Sequence, residues 1–189
     1  AGTETTEGHP LSILIVPEQY SFESERAILH GMGPRSAQNV LVTSFTRLAE
    51  LVFRTYGGIA GRRLTDGGRM ILMRLAIDGA EDFLRLYGKN ARTGEMIRLL
   101  VSAEAEMKMC AVSPETLEEA GLQSQNEVLR QKAKDLSLIF TAYEAMVQQS
   151  YLDPQDDLTR MQQHLQAHGF FEGCTVILDS FTGFTVQEC

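Results

Sequence analysis

The sequence predicts an α/β protein, a small parallel sheet whose strands are separated in the chain by an all-helical segment. Three observations predict it. Two short apolar runs, Leu11–Val16 and Val40–Thr43, are each followed by a helical pattern. Residues 65–168 then carry helical periodicity without a convincing strand. A third short apolar run, Cys174–Leu178, follows that block. Alternation of strand and helix implies parallel pairing with covering helices. A helical block between strands reads as a subdomain inserted into the sheet, with the last strand rejoining the first two. The competing arrangement is an α+β domain with its helices in one block.

Each element has its own signal. Leu11–Val16 (LSILIV) is aliphatic on both faces and stops at Pro17, which suits a buried parallel strand. Ser21–His30 reads as a helix with Phe22, Ala27 and Ile28 offered to the core, Glu23 and Glu25 near its positive end, and Gly31, Gly33 and Pro34 closing it. Val40–Thr43 (VLVT) is the second strand. Phe45, Leu48, Ala49, Val52 and Tyr56 form one apolar helical face, stopped at Gly57-Gly58. In the helical block, Asp66 is expected to cap a helix to about Asp78, and Glu95–Lys108 carries Met96, Leu99, Leu100, Ala103 and Met107 on one side. Ser113-Pro114 opens a short helix by the cap-then-proline signal. Asn126–Ser150 has a stripe of Leu129, Leu136, Ile139, Phe140, Tyr143 and Val147. Asp153-Pro154 repeats the cap signal before Leu158, Met161 and Leu165. CTVIL at Cys174–Leu178 is again apolar on both faces. The joints are Gly57–Arg63 and His168–Gly173.

Composition bounds the function. The chain has 189 residues, enough to bury a real core. No apolar run approaches a membrane span, and no basic-then-apolar leader is seen, so no membrane association and a cytoplasmic setting are expected. The three cysteines, Cys110, Cys174 and Cys189, form neither a zinc ribbon nor a disulfide framework. A net charge of −8 argues against a free-standing DNA-binding module, which needs cations against phosphate. From Arg54 to Arg98, however, nine Lys/Arg face five Asp/Glu, net +4, leaving −12 on the remainder. This basic middle is read first as a solvated mixed face and second as a nucleic-acid or partner surface.

Candidate chemistry gathers at the strand ends. Asp179 follows the last strand, where α/β proteins bind ligands and where nucleotide hydrolases place a magnesium-binding acid. Its neighbour is Ser180, so the second acid that orients an attacking water is missing. A phosphate loop G-x-x-x-x-G-K-[ST] is also absent. His164 and His168, at i and i+4, lack a third metal ligand, and Asp153, Asp156 and Asp157 read as helix-capping acids rather than a calcium loop. Ser44 and Cys110 have no His–Asp partner in sequence. Segments 17–22 and 43–48 follow the first two strands and share the C-terminal sheet edge with Asp179. Their hydroxyls, amide and aromatic rings suit single-stranded nucleic acid. The alternative is that Phe22 and Phe45 are core residues and the hydroxyls are caps.

These pieces carry a resemblance. Ile13–Arg26 (ILIVPEQYSFESER), Thr43–Phe53 (TSFTRLAELVF), Gly57-Gly58, Leu64-Thr65, Gly68-Arg69-Met70 and Val176–Glu188 (VILDSFTGFTVQE) resemble, in order, segments of the AddB family, the second subunit of bacterial AddAB helicase–nucleases. The resemblance implies a piece of a P-loop, superfamily 1 helicase-like sheet, with 1–64 and 169–189 forming a partial α/β core and 65–168 an inserted all-α subdomain. It implies a subunit that pairs with an AddA-type helicase–nuclease as a heterodimer, processes broken DNA for recombinational repair, and takes part in recognising a recombination signal. It further implies ATP and magnesium for the whole subunit, and an iron–sulfur cluster in a nuclease domain outside this sequence; no cofactor is expected within the segment. By this resemblance Gln19 and Ser21 match the first DNA-proximal segment, and Thr43, Ser44, Phe45 and Arg47 the second. Asp179 matches the magnesium-coordinating acid. Ser180 stands where active helicases have Glu, which implies a DNA-contacting scaffold that does not unwind by hydrolysis. Two alternatives stay open: an active motor whose phosphate loop lies outside this sequence, and a protein-binding module docking the partner subunit.

Overall fold

The computed structural model describes residues 12–188, without the side chains of residues 89 and 90. Leu11 and Cys189 lie outside the described residues. Three strands form one parallel sheet in the order β2-β1-β3: β1 is Ser12–Ile15, β2 Val40–Thr43 and β3 Thr175–Leu178. Ser12 pairs in register with Val40 on one side and Thr175 on the other. The expected joining of the third run to the first two is therefore observed. The chain divides into two compact units. One takes the described residues through Ile59 with Asp157–Phe184 and Glu188; the other takes Ala60–Asp156 with Thr185–Gln187.

In the sheet unit, Ile13 and Ile15 point into a core with Leu48, Ala49, Val52 and Phe53 of α2 (Phe45–Tyr56) and Met161 of α7 (Asp157–His168). The apolar face read from the spacing of α2 is thus the one buried, with Ser44 capping it and Gly57 closing it at φ 94. Arg160 braces α7 to the end of α2. Its guanidinium lies 4.6 Å over the Phe53 ring, donates to the Gly58 carbonyl at 2.6 Å and pairs with Asp157 at 3.0 Å. His164 and His168, whose spacing alone would allow a metal, stack edge-on against Phe53 and Tyr56.

Three expectations for this unit need correction. Helix α1 runs Ser21–Ala37, past the predicted stop, because the break is confined to Gly33 (φ 76, ψ 164) and helix resumes at Pro34, whose fixed φ suits a first turn. Phe22, at 67% exposure, and Ala27 face outward rather than into the core. The apolar run of β3 predicts burial on both faces, yet Val176, Ile177 and Leu178 are all exposed. It is an edge strand with neither face covered, and its apolar pattern reports what it could pack against, not what covers it here.

The helical unit holds α3 (Asp66–Ala80), α4 (Gly94–Met109), α5 (Pro114–Leu122) and α6 (Glu127–Ser150). Its core joins Met73, Ala76 and Ile77 of α3 to Ile97 and Leu100 of α4 and Ile139, Phe140, Tyr143 and Val147 of α6. The caps follow local chemistry. Thr93, Ser113 and Asn126 each accept a backbone N–H at the start of α4, α5 and α6. For α3 the cap is Thr65, which accepts from Gly68 N at 3.2 Å, and Asp66 is the first helical residue instead. Leu99 and Leu129, placed on the packed stripes by spacing, are 58% and 50% exposed. Gly121 lets α5 press against α6, since a Cβ there would lie 2.4 Å from that of Ala133.

Two polar clusters are buried in this unit. Asp135 of α6 accepts the backbone N–H groups of Arg85, Leu86 and Tyr87 at 2.9, 2.6 and 3.1 Å on one oxygen, and the Gln131 amide at 2.8 Å on the other. The second cluster joins Arg69 of α3 and Lys108 of α4 to Asp153 and Asp156 of the short turn after α6. The sequence makes Asp153 a capping acid. It does accept Gln155 N at 3.0 Å, but its side chain is fully buried between Arg69 and Lys108. Glu104 lies beside it, 3.2 Å from Lys108 Nζ. Burial pushes the Glu104 carboxyl above the ordinary carboxylate range, against the opposing pull of Lys108. Burial also works to lower the Lys108 ammonium, but Glu104, Asp156 and Asp153 together outweigh it and raise it.

Candidate nucleic-acid interface

Parallel pairing puts the C-terminal ends of all three strands at one edge, where the sheet hands the chain to its loops. β1 leads through Pro17 into a single 3-10 turn, Glu18–Tyr20. β2 leads through Ser44 into α2. β3 leads through Asp179 into Ser180, which sits at φ 64. That left-handed residue turns the chain, and Phe181 lies with its ring 5.5 Å from Phe45 and 4.8 Å from Phe184. Between the three exits lies an open pocket of about 400 Å³. Its walls include Gln19 and Tyr20, Ser44 and Phe45, and Ser180 and Phe181.

The polar wall is organised by one acid. Glu18 accepts a hydrogen bond from the Ser44 hydroxyl through one carboxylate oxygen and pairs with Arg47 Nε at 3.0 Å through the other. Ser44 Oγ also accepts the Arg47 backbone N–H at 3.3 Å, so the same hydroxyl caps α2 and binds Glu18. Glu25 of α1 stands 3.7 Å from Arg47 Nη1. The Arg47 and Glu18 side chains are 51% and 55% exposed. Ion pairs this open are worth about 0–1 kcal/mol, so the arrangement is easily exchanged.

The structure brings Gln19, Ser44 and Phe45 to the pocket wall, and Arg47 beside it through Ser44 and Glu18. Thr43 and Ser21 do not line it. Thr43 is 3% exposed, as is Ser44, and its hydroxyl donates to the Ser44 carbonyl at 3.2 Å; the Ser21 hydroxyl is buried without a hydrogen-bond partner among the described residues. Asp179 is exposed at the tip of β3, its N–H donating to the Ile15 carbonyl at 3.1 Å. Sequence reasoning passes over Glu18, Tyr20, Phe181 and Phe184. The F-x-x-F spacing after β3 is a usable signal for the two phenylalanines. Glu18 has none, because its partner Ser44 lies 26 residues away and meets it only through the sheet register.

The pocket can offer a base an aromatic wall, with an amide and hydroxyls for its edge, and Arg47 beside it can offer one guanidinium to a phosphate. Asp179 is a single carboxylate without the neighbouring acid, and no group of three His, Cys, Asp or Glu able to hold a metal occurs among the described residues. Among the described residues no helix is long and apolar enough to cross a membrane.

Residues 2–189 match the family described as ADDB, N-terminal. A protein of Clostridium acetobutylicum, named as a subunit of an ATP-dependent helicase/deoxyribonuclease, is 32% identical over 176 residues, covering 93% of this chain and 15% of its own length. Proteins of the same name from Thermoanaerobacter sp. and Clostridioides difficile are 33% and 32% identical over 180 and 179 residues, covering 95% and 93% of this chain and 16% of their own lengths. The chain thus spans only about a sixth of the length of these relatives. With its family match running through both units and the three strand exits, this chain belongs to the ADDB N-terminal family.

Proposed function

We propose that this chain serves as a helicase-like, DNA-contacting scaffold within an AddB-type subunit of an ATP-dependent helicase–deoxyribonuclease, gripping single-stranded DNA at the C-terminal sheet edge without driving unwinding itself. The pocket where the three strand exits converge carries this reading, because it combines a stacking wall with hydroxyl and amide groups, and Arg47 stands beside it on the Glu18 carboxylate. The proposal places the chain in a P-loop helicase-like core, paired with an AddA-type subunit in the cytoplasm and acting on DNA breaks for recombinational repair. Ser180 beside Asp179, where a hydrolase needs a second acid, supports a non-hydrolytic role. ATP, magnesium and any iron–sulfur cluster would then act elsewhere in the whole assembly.

Two measurements on the full-length protein test this. In the first, Phe45→Ala should weaken binding of a labelled oligothymidylate by the roughly 1–3 kcal/mol of a base–aromatic stack. Arg47→Ala should weaken it less and flatten its salt dependence by about 0.7 in the log–log slope, one phosphate contact. Unchanged binding in both would remove the DNA-groove reading. In the second, the full-length protein without its partner is assayed for ATP hydrolysis. Steady turnover abolished by Asp179→Asn would establish an active motor instead.

A further inference from the structure

The placement of Glu18 suggests how the proposed groove is kept from holding DNA indiscriminately. Its carboxylate takes the Ser44 hydroxyl and Arg47 Nε at the first turn of α2. These are the donors a DNA phosphate would need, and carboxylate and phosphate are the same class of acceptor for an arginine fork and a hydroxyl. We propose that Glu18 is a built-in stand-in for phosphate: in the empty groove it occupies Ser44 and Arg47, and the DNA backbone must displace it to bind. The inference rests on the single-strand reading above and deepens it.

Three observations favour an exchangeable stand-in over a fixed support. The Glu18–Arg47 pair is half exposed, so its hold is weak and water or a second anion can reach it. Glu25, 3.7 Å from the other arm of Arg47, gives the arginine two acids to one positive charge, so the cluster carries net negative charge until one acid yields. Among the described residues the pocket walls carry the Glu18 carboxylate and no Lys or Arg. Such a groove repels a passing phosphate and rewards a strand whose bases also stack, since only added stacking on Phe45 and its neighbours offsets the displacement. Glu18 would thereby trade affinity for selectivity of engagement.

The test measures anisotropy of a fluorescein-labelled oligothymidylate on the full-length, nucleotide-free protein across a salt series. Glu18→Gln keeps the shape and removes the charge. It should bind up to about fivefold more tightly at low salt, the scale of one exposed charge contact, with the advantage shrinking as salt rises. Glu18→Ala should behave alike, which guards against a gain peculiar to the amide. In an Arg47→Ala background Glu18→Gln should give no gain. Equal or weaker binding by both Glu18 variants overturns the proposal and makes Glu18 a positioning residue for Arg47. A gain that persists without Arg47 also overturns it, since the effect would then be general charge removal. Failure of the groove reading itself looks different: Phe45→Ala and Arg47→Ala would leave binding unchanged whatever Glu18 does.

Discussion

Removing the Asp153 carboxylate should destabilise the helical unit strongly. The side chain is fully buried, and Arg69, 6% exposed, is paired to it from α3. Lys108 would survive the loss, because Asp156 at 2.8 Å and Glu104 at 3.2 Å remain to it. Arg69 would not, and an abandoned buried guanidinium sets the magnitude at about 3–5 kcal/mol for Asp153→Ala. With a urea m-value of about 2 kcal/mol/M, that loss moves the midpoint down by roughly 1.5–2.5 M. Asp153→Asn, which leaves Arg69 a neutral acceptor, should cost less. Because the chain forms two units, the assay is urea titration by circular dichroism paired with hydrogen exchange of the α3 and α4 amides. Exchange should accelerate in those helices and stay unchanged in α2. A loss below about 1 kcal/mol would refute the reasoning, for it would mean that Arg69 reaches water or another acceptor at little cost.

Two further outcomes follow from the same unit. Glu104 binds a proton more tightly folded than unfolded, because burial raises its carboxyl. Its charged form therefore costs stability at neutral pH, and that cost is relieved as pH falls from neutral through its folded value towards the unfolded 4.5. Glu104→Gln should be the more stable protein at neutral pH, with its advantage narrowing as pH falls; urea midpoints over a pH series check this, and a constant gap would refute it. Asp135→Ala strands the backbone N–H groups of Arg85, Leu86 and Tyr87, and should cost about 2–4 kcal/mol, seen as faster exchange at those three amides.

What the sequence made legible was local. The caps at Ser113 and Asn126, the buried face of α2 and the three parallel strands all follow from short-range chemistry and periodicity. What it hid depends on register and on neighbours. Glu18 and Ser44 meet because β1 pairs with β2 at Ser12 and Val40, and no spacing rule anticipates that. Asp153 looks like a cap because it precedes a proline, yet its main partners come from α3 and α4. Phe22 and β3 read as core from their apolarity, but apolar side chains stay exposed wherever nothing is packed on them. At the candidate site, Gln19, Ser44, Phe45 and Phe181 all lie within four residues of a strand end, but that the three exits share one pocket follows from the sheet order, which no local pattern prints.

The turn at Ser180 bears on how such a site changes over evolutionary time. Ser180 holds φ 64, a backbone state that costs a residue with a Cβ about 1–2 kcal/mol and that glycine accepts freely. The resemblance to helicases sets Glu at this position in active motors. A glutamate here would meet the same cost that Ser180 already bears, because both carry a Cβ. The main chain at this position is therefore no barrier to an acid; the residue it favours over either is glycine, which would relax the turn that brings Phe181 to Phe45.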